Sequence, residues 1–329
     1  MKTILVTGGY GFIGSCFVLQ EIEAGNKIIN LDKLTYAANI KNLVSVEGNP
    51  YYKFYKGDIC DNNLVAKIFA ENEIDCVVNF AAESHVDNSI EKPSEFIQTN
   101  IFGVYNLLQN ALQYWKNLED GKKQKFKFLH VSTDEVYGSL NLDSPKFSEI
   151  TKYDPSSPYS ASKAASDHLV NAWGVTYGLP CIITNCSNNF GPRQHSEKLI
   201  PKIITNCVNE KTIPIYGKGE NIRDWIFVAD HCAGIKLALE KGEVGESYCF
   251  GGNAERTNNQ IVNLICEKMD RLRPRKNGES YKGLITYVKD RAGHDLRYAI
   301  DDSKAKEKLG YEQSKSFEAR IEETIGFYL

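Results

Sequence analysis

Short apolar runs alternate with helical stretches through the first two thirds of the chain, at residues 3–7, 27–31, 52–56, 76–80, 127–132 and 180–185. Strand-helix alternation of this kind predicts a parallel sheet covered on both faces, the doubly wound α/β architecture. Between the fourth and fifth runs, Ile101, Val104, Tyr105, Leu108, Ala111, Leu112 and Trp115 recur at helical spacing. They predict one long helix over 101–115 with a broad apolar face. Beyond Gly191 the pattern loosens into shorter elements rich in Gly, Pro and Asn, as at residues 214–219 and 251–253. The expected organisation is a larger domain over residues 1–190 and a smaller lobe over 191–329, interleaved with the first. Residues 271–282, polar and without period, read as an exposed loop.

Chemistry enters where the runs end. After the first, Thr7-Gly8-Gly9-Tyr10-Gly11-Phe12-Ile13-Gly14 opens a helix, and Gly9, Gly11 and Gly14 fit G-x-G-x-x-G. Such glycines let the backbone turn tightly under a pyrophosphate, which meets the unpaired amides of the helix start. The second run ends in Asp32, placed to accept hydrogen bonds from adenosine ribose hydroxyls and to repel a 2′-phosphate, so NAD is expected over NADP. The fifth runs into Ser132-Thr133-Asp134-Glu135, which puts a hydroxyl and two carboxylates at the sheet edge where ligands of such folds bind. Adjacent carboxylates in unlike environments supply an acid and a base together. Tyr159 and Lys163, four apart at the start of a helical stretch, share a helix face. A cation beside a phenol lowers its pKa from about 10, so Tyr159 is expected to act as a base while hydride leaves.

These segments, with Leu31-Asp32-Lys33-Leu34-Thr35-Tyr36-Ala37, Gly57-Asp58-Ile59, Ala81-Ala82-Glu83-Ser84-His85-Val86-Asp87, Glu197-Lys198-Leu199-Ile200-Pro201, Arg223-Asp224-Trp225 and Gly293-His294-Asp295, resemble the extended short-chain dehydrogenases/reductases nearly end to end. Within them the chain is similar to the nucleotide-sugar 4,6-dehydratases. Thr133-Asp134-Glu135 is the specific part of the likeness, because an epimerase needs no acid/base pair there. The resemblance implies a Rossmann-type fold and a hydro-lyase that oxidises a hexose at C4, removes water across C5 and C6, and returns hydride to C6. It makes Tyr159 the base at the C4 hydroxyl, Lys163 the holder of the ribose hydroxyls, Thr133 a partner of the C4 oxygen, Asp134 the acid at the C6 hydroxyl and Glu135 the base at C5. It assigns NAD contacts to Gly8, Gly11, Phe12, Ile13, Gly14, Asp32, Lys33, Thr35, Asp58, Ile59, Ala81, Ala82 and Thr99 or Asn100, besides Tyr159 and Lys163. It assigns sugar-nucleotide contacts to Ser84, His85, Asn188, Lys198, Leu199, Arg223, Asn258 and Arg297. dTDP-glucose is the first substrate it suggests; UDP-glucose and GDP- or UDP-linked N-acetylglucosamine are the alternatives, with 4-epimerisation behind them. It also implies a homodimer in which the 101–115 helix and the helix after Tyr159 pair across subunits as a four-helix bundle.

Composition narrows the partners. At 329 residues, 42% hydrophobic and 25% charged, the chain is ordinary globular protein. A net charge of -3 offers no general attraction to nucleic acid or a membrane surface. No apolar run approaches the roughly 18 to 20 residues that span a bilayer, and the start, MKTILVTGG, lacks a signal-peptide pattern, so a cytoplasmic location is expected. Nine cysteines without a C-x-x-C pair suggest neither a metal site nor a disulfide framework. One departure stands out: Arg193-Gln194-His195-Ser196 occupies the place where the family commonly has Tyr-x-Phe-Pro, and Asn88 the place of an Arg. Arg193 and His195 are therefore expected to bear on nucleotide preference.

Overall fold

Each of the six apolar runs becomes a strand, and a seventh joins them. A computed structural model of the chain describes residues 1–290 and 293–329. Its main sheet holds β1 (Thr3–Thr7), β2 (Lys27–Asp32), β3 (Tyr52–Lys56), β4 (Cys76–Asn79), β5 (Lys127–Thr133), β6 (Cys181–Cys186) and β7 (Ser247–Phe250). All are parallel, in the spatial order β7-β6-β5-β4-β1-β2-β3. The order reverses between β1 and β4, and at such a point the crossovers leave on opposite sides and open a crevice at the carboxyl edge. β2 and β5 run one residue beyond the expected ends, so Asp32 and Thr133 are the last residues of their strands.

The central strands are mostly apolar because both faces are covered, whereas β3 at the edge leaves Lys53 and Lys56 exposed. Ile4, Val6 and Val78 pack on one side with helix α1 (Phe12–Glu23). Leu5, Ile29 and Val77 pack on the other with α2 (Asn62–Glu71) and α3 (Val104–Lys116). The expected helix over 101–115 is α-helical only from Val104; residues Ile97–Gly103 form a π-helical turn ahead of it. Val104, Leu108, Ala111 and Leu112 are buried as its period predicts, but Tyr105 is 43% exposed. α4 (Pro158–Tyr177) lies beside α3 and begins at a capping box, with Ser157 and Ser160 bonding reciprocally and Pro158 at the first position. That start places Tyr159 in the first turn, at the sheet's carboxyl edge.

Beyond residue 190 the chain builds a second core between α5 (Leu199–Val208), α7 (Asn258–Leu272) and α8 (Phe317–Tyr328), centred on Ile203, Ile204, Trp225, Ile261 and Ile265. Between α5 and α7 it returns to the large sheet, where α6 (Val228–Lys241) packs against α1 and β7 extends the sheet beside β6. The 271–282 stretch is not wholly exposed: Tyr281 is buried, its amide donates to Asp270 Oδ1 at 2.8 Å and its hydroxyl to the Arg273 carbonyl at 2.8 Å. All nine cysteines are free thiols, and all but the half-buried Cys60 are buried. Among the described residues no helix is long and apolar enough to cross a membrane.

Candidate active site

The glycine turn is shaped by close approach. Gly8 has φ +72°, and a Cβ there would sit 2.9 Å from the Ala81 amide nitrogen; a Cβ on Gly14 would come within 2.3 Å of the Gly8 carbonyl oxygen. Only glycine lets the loop and helix start pack this tightly. Gly11 caps α1 without any side-chain hydrogen bond, so the first amides of the helix face the cleft rather than a capping group. Asp32 accepts from the Leu34 amide at 2.7 Å through Oδ1 and from the Tyr10 amide at 2.8 Å through Oδ2. A carboxylate has about four acceptor sites, so these bonds fix its orientation and leave capacity toward a ribose. Lys33 pairs with Asp58 at 2.6 Å on the adjoining rim. Every residue expected to touch NAD lines this one cleft. Of Thr99 and Asn100, Thr99 lines the wall, while Asn100 is buried and braces it, bonding Glu83 N at 2.9 Å and Ser162 Oγ at 2.8 Å.

The same cleft continues past the end of β5. Thr133 caps the short 3₁₀ turn Asp134–Tyr137, its hydroxyl accepting the Glu135 amide at 3.3 Å and lying 3.4 Å from Asp134 Oδ1. Asp134 is buried, and its Oδ2 has no hydrogen-bond partner among the described residues. Burial, then the Glu135 and Asp224 carboxylates, push its carboxyl well above the usual range, against Arg223 and the Thr133 hydroxyl. Asp134 is thus biased toward the protonated form, beside Glu135, which is only half-buried.

Tyr159 and Lys163 share a face as expected, yet the expected effect on the phenol does not follow. Burial, then Glu135, holds the Tyr159 phenol well above its ordinary value, and the Thr133 hydroxyl is what opposes them. The Lys163 ammonium is drawn away, donating to the Val131 carbonyl at 2.8 Å and lying 3.2 Å from His130 Nε2.

On the substrate side, Ser84, Asn188 and Lys198 line the cleft; Lys198 Nζ donates to the Ser84 carbonyl at 3.0 Å, and Asn188 Oδ1 is buried without a partner among the described residues. His85 caps the Val86–Glu91 helix and lies 3.8 Å from Glu197. Arg223 is buried and is not part of the cleft wall, stacked 4.2 Å over the Tyr298 ring and donating to the Ile222 and Asp295 carbonyls. Leu199 and Asn258 stand at the first positions of α5 and α7, outside the cleft wall. Arg297 is likewise not brought to it: its guanidinium is taken up by Glu255 at 2.7 and 3.2 Å and by the Asn141 and Ser144 carbonyls.

The family model described as GDP-mannose 4,6 dehydratase matches residues 5–324. The chain belongs to that family. A relative from Xanthomonas campestris pv. campestris named dTDP-glucose 4,6-dehydratase is 54% identical over 329 residues, 100% of this chain and 93% of its own. The crystal structure of DesIV, a dTDP-glucose 4,6-dehydratase from Streptomyces venezuelae solved with NAD bound, superposes with a TM-score of 0.89 at 42% identity, covering 99% of this chain and 96% of that one. A UDP-glucose 4-epimerase structure from Thermotoga maritima shares the fold at TM-score 0.87 but is 29% identical, over 99% of this chain and 98% of its own.

Against this dehydratase family, the unusual 193–196 stretch takes a shape its sequence did not show. Arg193 adopts φ +71° and lays its guanidinium 5.9 Å over the Phe327 ring, and it is not part of the cleft wall. Gln194 and His195 are, together with Asn189 and Glu197. His195 Nδ1 lies 3.5 Å from Glu197, and its ring meets Tyr36 edge-on at 6.0 Å. Asn189 and Gln194 were missed because neither belongs to a motif; only their place beside Asn188 and His195 would have pointed to them.

Proposed function

We propose that this chain is an NAD-dependent dTDP-glucose 4,6-dehydratase. The observation that carries the reading is the unlike pair at the end of β5, a fully buried Asp134 next to a half-buried Glu135 within one cleft with Tyr159. NAD fits the other half of that cleft: the glycine turn has no room for a side chain, the α1 amides face inward, and Asp32 is oriented by two backbone bonds. Gly8, Gly11 and Gly14 would face the pyrophosphate, Asp32 and Lys33 the adenosine ribose, and Asp58 and Ile59 the adenine. When bound, NAD supplies a two-electron acceptor with a cationic ring, which takes the C4 hydrogen of the hexose and gives it back at C6.

The protein's own groups move the protons. Tyr159 takes the C4 hydroxyl proton, with Thr133 hydrogen-bonded to the same oxygen. The C4 ketone makes the C5 hydrogen acidic, Glu135 removes it, and Asp134 gives its proton to the departing C6 hydroxyl as water. Ser84, Asn188 and Lys198 hold the sugar nucleotide, with the Arg223 charge offsetting the negative charge gathered at Asp134 and Glu135. In this reading residues 1–190 carry the cofactor and the reacting groups, and 191–329 cover the substrate. Offering a panel of dTDP-, UDP-, GDP- and CDP-linked glucose and N-acetylglucosamine to the NAD-loaded protein tests it: dTDP-glucose should give the 6-deoxy-4-keto product fastest. A faster UDP or GDP substrate, or C4 inversion without loss of water, would refute the assignment.

A homodimer belongs to the same proposal. Phe102 in the π turn before α3, Tyr105 on α3 and Tyr177 at the end of α4 are 55%, 43% and 47% exposed, apolar surface that a second copy would cover. Light scattering at micromolar concentration should give twice the 37.0 kDa chain mass. A mass of one chain would count against it.

A further inference from the structure

Behind the cleft runs a buried polar row that this reaction leaves without a task. Thr7, Asn79 and His130 are partners in register across β1, β4 and β5, and all three are buried. The Thr7 hydroxyl accepts the Ala81 amide at 3.2 Å and lies 2.5 Å from Asn79 Oδ1, and Asn79 Nδ2 lies 3.0 Å from His130 Nδ1. On the far side of the imidazole, Nε2 lies 3.2 Å from Lys163 Nζ, 3.3 Å from Ser166 Oγ and 3.4 Å from Asp167 Oδ1. Asp167 Oδ2 accepts from the Ser132 hydroxyl at 2.7 Å and the Tyr153 hydroxyl at 3.0 Å, while Oδ1 has no hydrogen-bond partner among the described residues.

Polar side chains in adjacent core strands and a buried lysine with a buried aspartate cost desolvation that apolar residues would avoid. What they fix in return is Lys163. An ammonium has three protons to donate. One goes to the Val131 carbonyl and one is aimed at His130, which leaves one for the cleft.

We propose that His130 and Asp167 are positioning residues for Lys163: the imidazole accepts one ammonium proton, and the Asp167 carboxylate supplies the counter-charge that keeps the ammonium protonated. The row then ties the strand end beneath the glycine turn to the catalytic helix through one side chain. For Nε2 to accept, the ring is neutral and carries its proton on Nδ1. The Asn79 amide, whose two ends are alike in shape, then turns its oxygen to His130 and its NH₂ to Thr7. Burial, followed by the Lys163 charge, holds His130 well below its ordinary pKa, so the neutral ring persists through the working range. The inference rests on the reading of Lys163 as a catalytic residue.

The ionisable groups around the pair come from every packed element: His130 from β5, Cys186 from β6, Tyr153 from the loop before α4, and Lys163 and Asp167 from α4 itself. Burial pushes the Asp167 carboxyl up to about 6, opposed by Lys163 and by the Ser132 and Tyr153 hydroxyls. Burial pushes Lys163 down, opposed first by Asp167. Below about pH 6 Asp167 therefore gains a proton, Lys163 loses its counter-charge, and kcat should fall.

Tyr153→Phe keeps the ring against Tyr137 and deletes one donor to Asp167, so the acid limb of kcat should move to higher pH by roughly half a unit. Asp167→Asn should lower the alkaline limb by about one unit. It should also cut kcat on the order of 10-fold, with KM for dTDP-glucose and NAD affinity within about 2-fold. His130→Phe should cost on the order of 10-fold or more in kcat, and His130→Gln, which restores an acceptor, should recover most of it. Lys163→Met separates the two levels: activity retained there refutes the role of Lys163 itself. If Lys163→Met is inactive, yet Tyr153→Phe keeps the wild-type acid limb, the positioning proposal is overturned. The Tyr153 variant decides the matter even where the Asp167 or His130 variants fail to fold.

Discussion

Tyr159→Phe is expected to leave NAD bound and to suppress the reduced-nicotinamide absorbance that dTDP-glucose should otherwise produce, with kcat down by about 10²- to 10⁴-fold. The ring is buried and meets Phe96 edge-on at 6.3 Å, contacts that phenylalanine keeps, so the change removes a proton acceptor and little else. The electrostatics sharpen the expectation. Burial and Glu135 hold the phenol protonated well above its ordinary pKa, so phenolate is scarce and anything that favours it has a large effect on the rate. The rate of oxidation should accordingly rise with pH until another group fails. Thr133→Ala deletes the opposing hydroxyl and should slow the same step without abolishing it. Reduced nicotinamide appearing at the wild-type rate in Tyr159→Phe would remove Tyr159 from its role.

Those electrostatics were the part of the site least open to sequence reading. A spacing of four fixed the face that Tyr159 and Lys163 share, but a helical period says nothing of what else competes for a long side chain. The Val131 carbonyl and His130 reach Lys163 from β5, more than thirty positions away in the chain. Arg297 repeats the lesson: the resemblance set it at the sugar nucleotide, but its guanidinium is held by Glu255, 42 residues distant. Arg193 is a third case, turned off the cleft by a left-handed backbone that its residue type does not announce.

The sheet itself was legible because strands buried on both faces are mostly apolar, and each run is short and bounded by turn residues. β7 escaped because it has four residues, in a stretch crowded with Gly and Asn, and only its parallel pairing with β6 marks it as part of the large sheet. The π turn at Ile97–Gly103 was equally hidden, since its apolar residues follow a helical spacing closely enough to pass for α. The glycine turn and the end of β5 were read correctly in place, because both need particular residue types at fixed offsets from a strand end.

Glu135→Gln should separate the two halves of the reaction. Oxidation at C4 depends on Tyr159, Thr133 and Lys163, whereas loss of water depends on Asp134 and Glu135, so a change confined to Glu135 should leave the first half largely intact. Glutamine keeps the size and the half-buried position of the side chain but cannot take the C5 proton, and the dehydration step should slow by on the order of 10²-fold or more. Two charge effects run with it. The Glu135 carboxylate is the leading charged neighbour raising both Asp134 and Tyr159, so its loss lowers the pKa of each. The phenol becomes the easier base, and oxidation should proceed at or above the wild-type rate. Burial, the largest cause of the raised Asp134 pKa, is untouched, so the acid stays in place with no base to work beside it. With dTDP-glucose present, reduced nicotinamide should therefore accumulate, while little 6-deoxy-4-keto sugar forms and little solvent deuterium enters C5. Product at the wild-type rate, or deuterium exchange undiminished, would show that another group removes the C5 proton and that the pairing of Asp134 with Glu135 is not the dehydrating device.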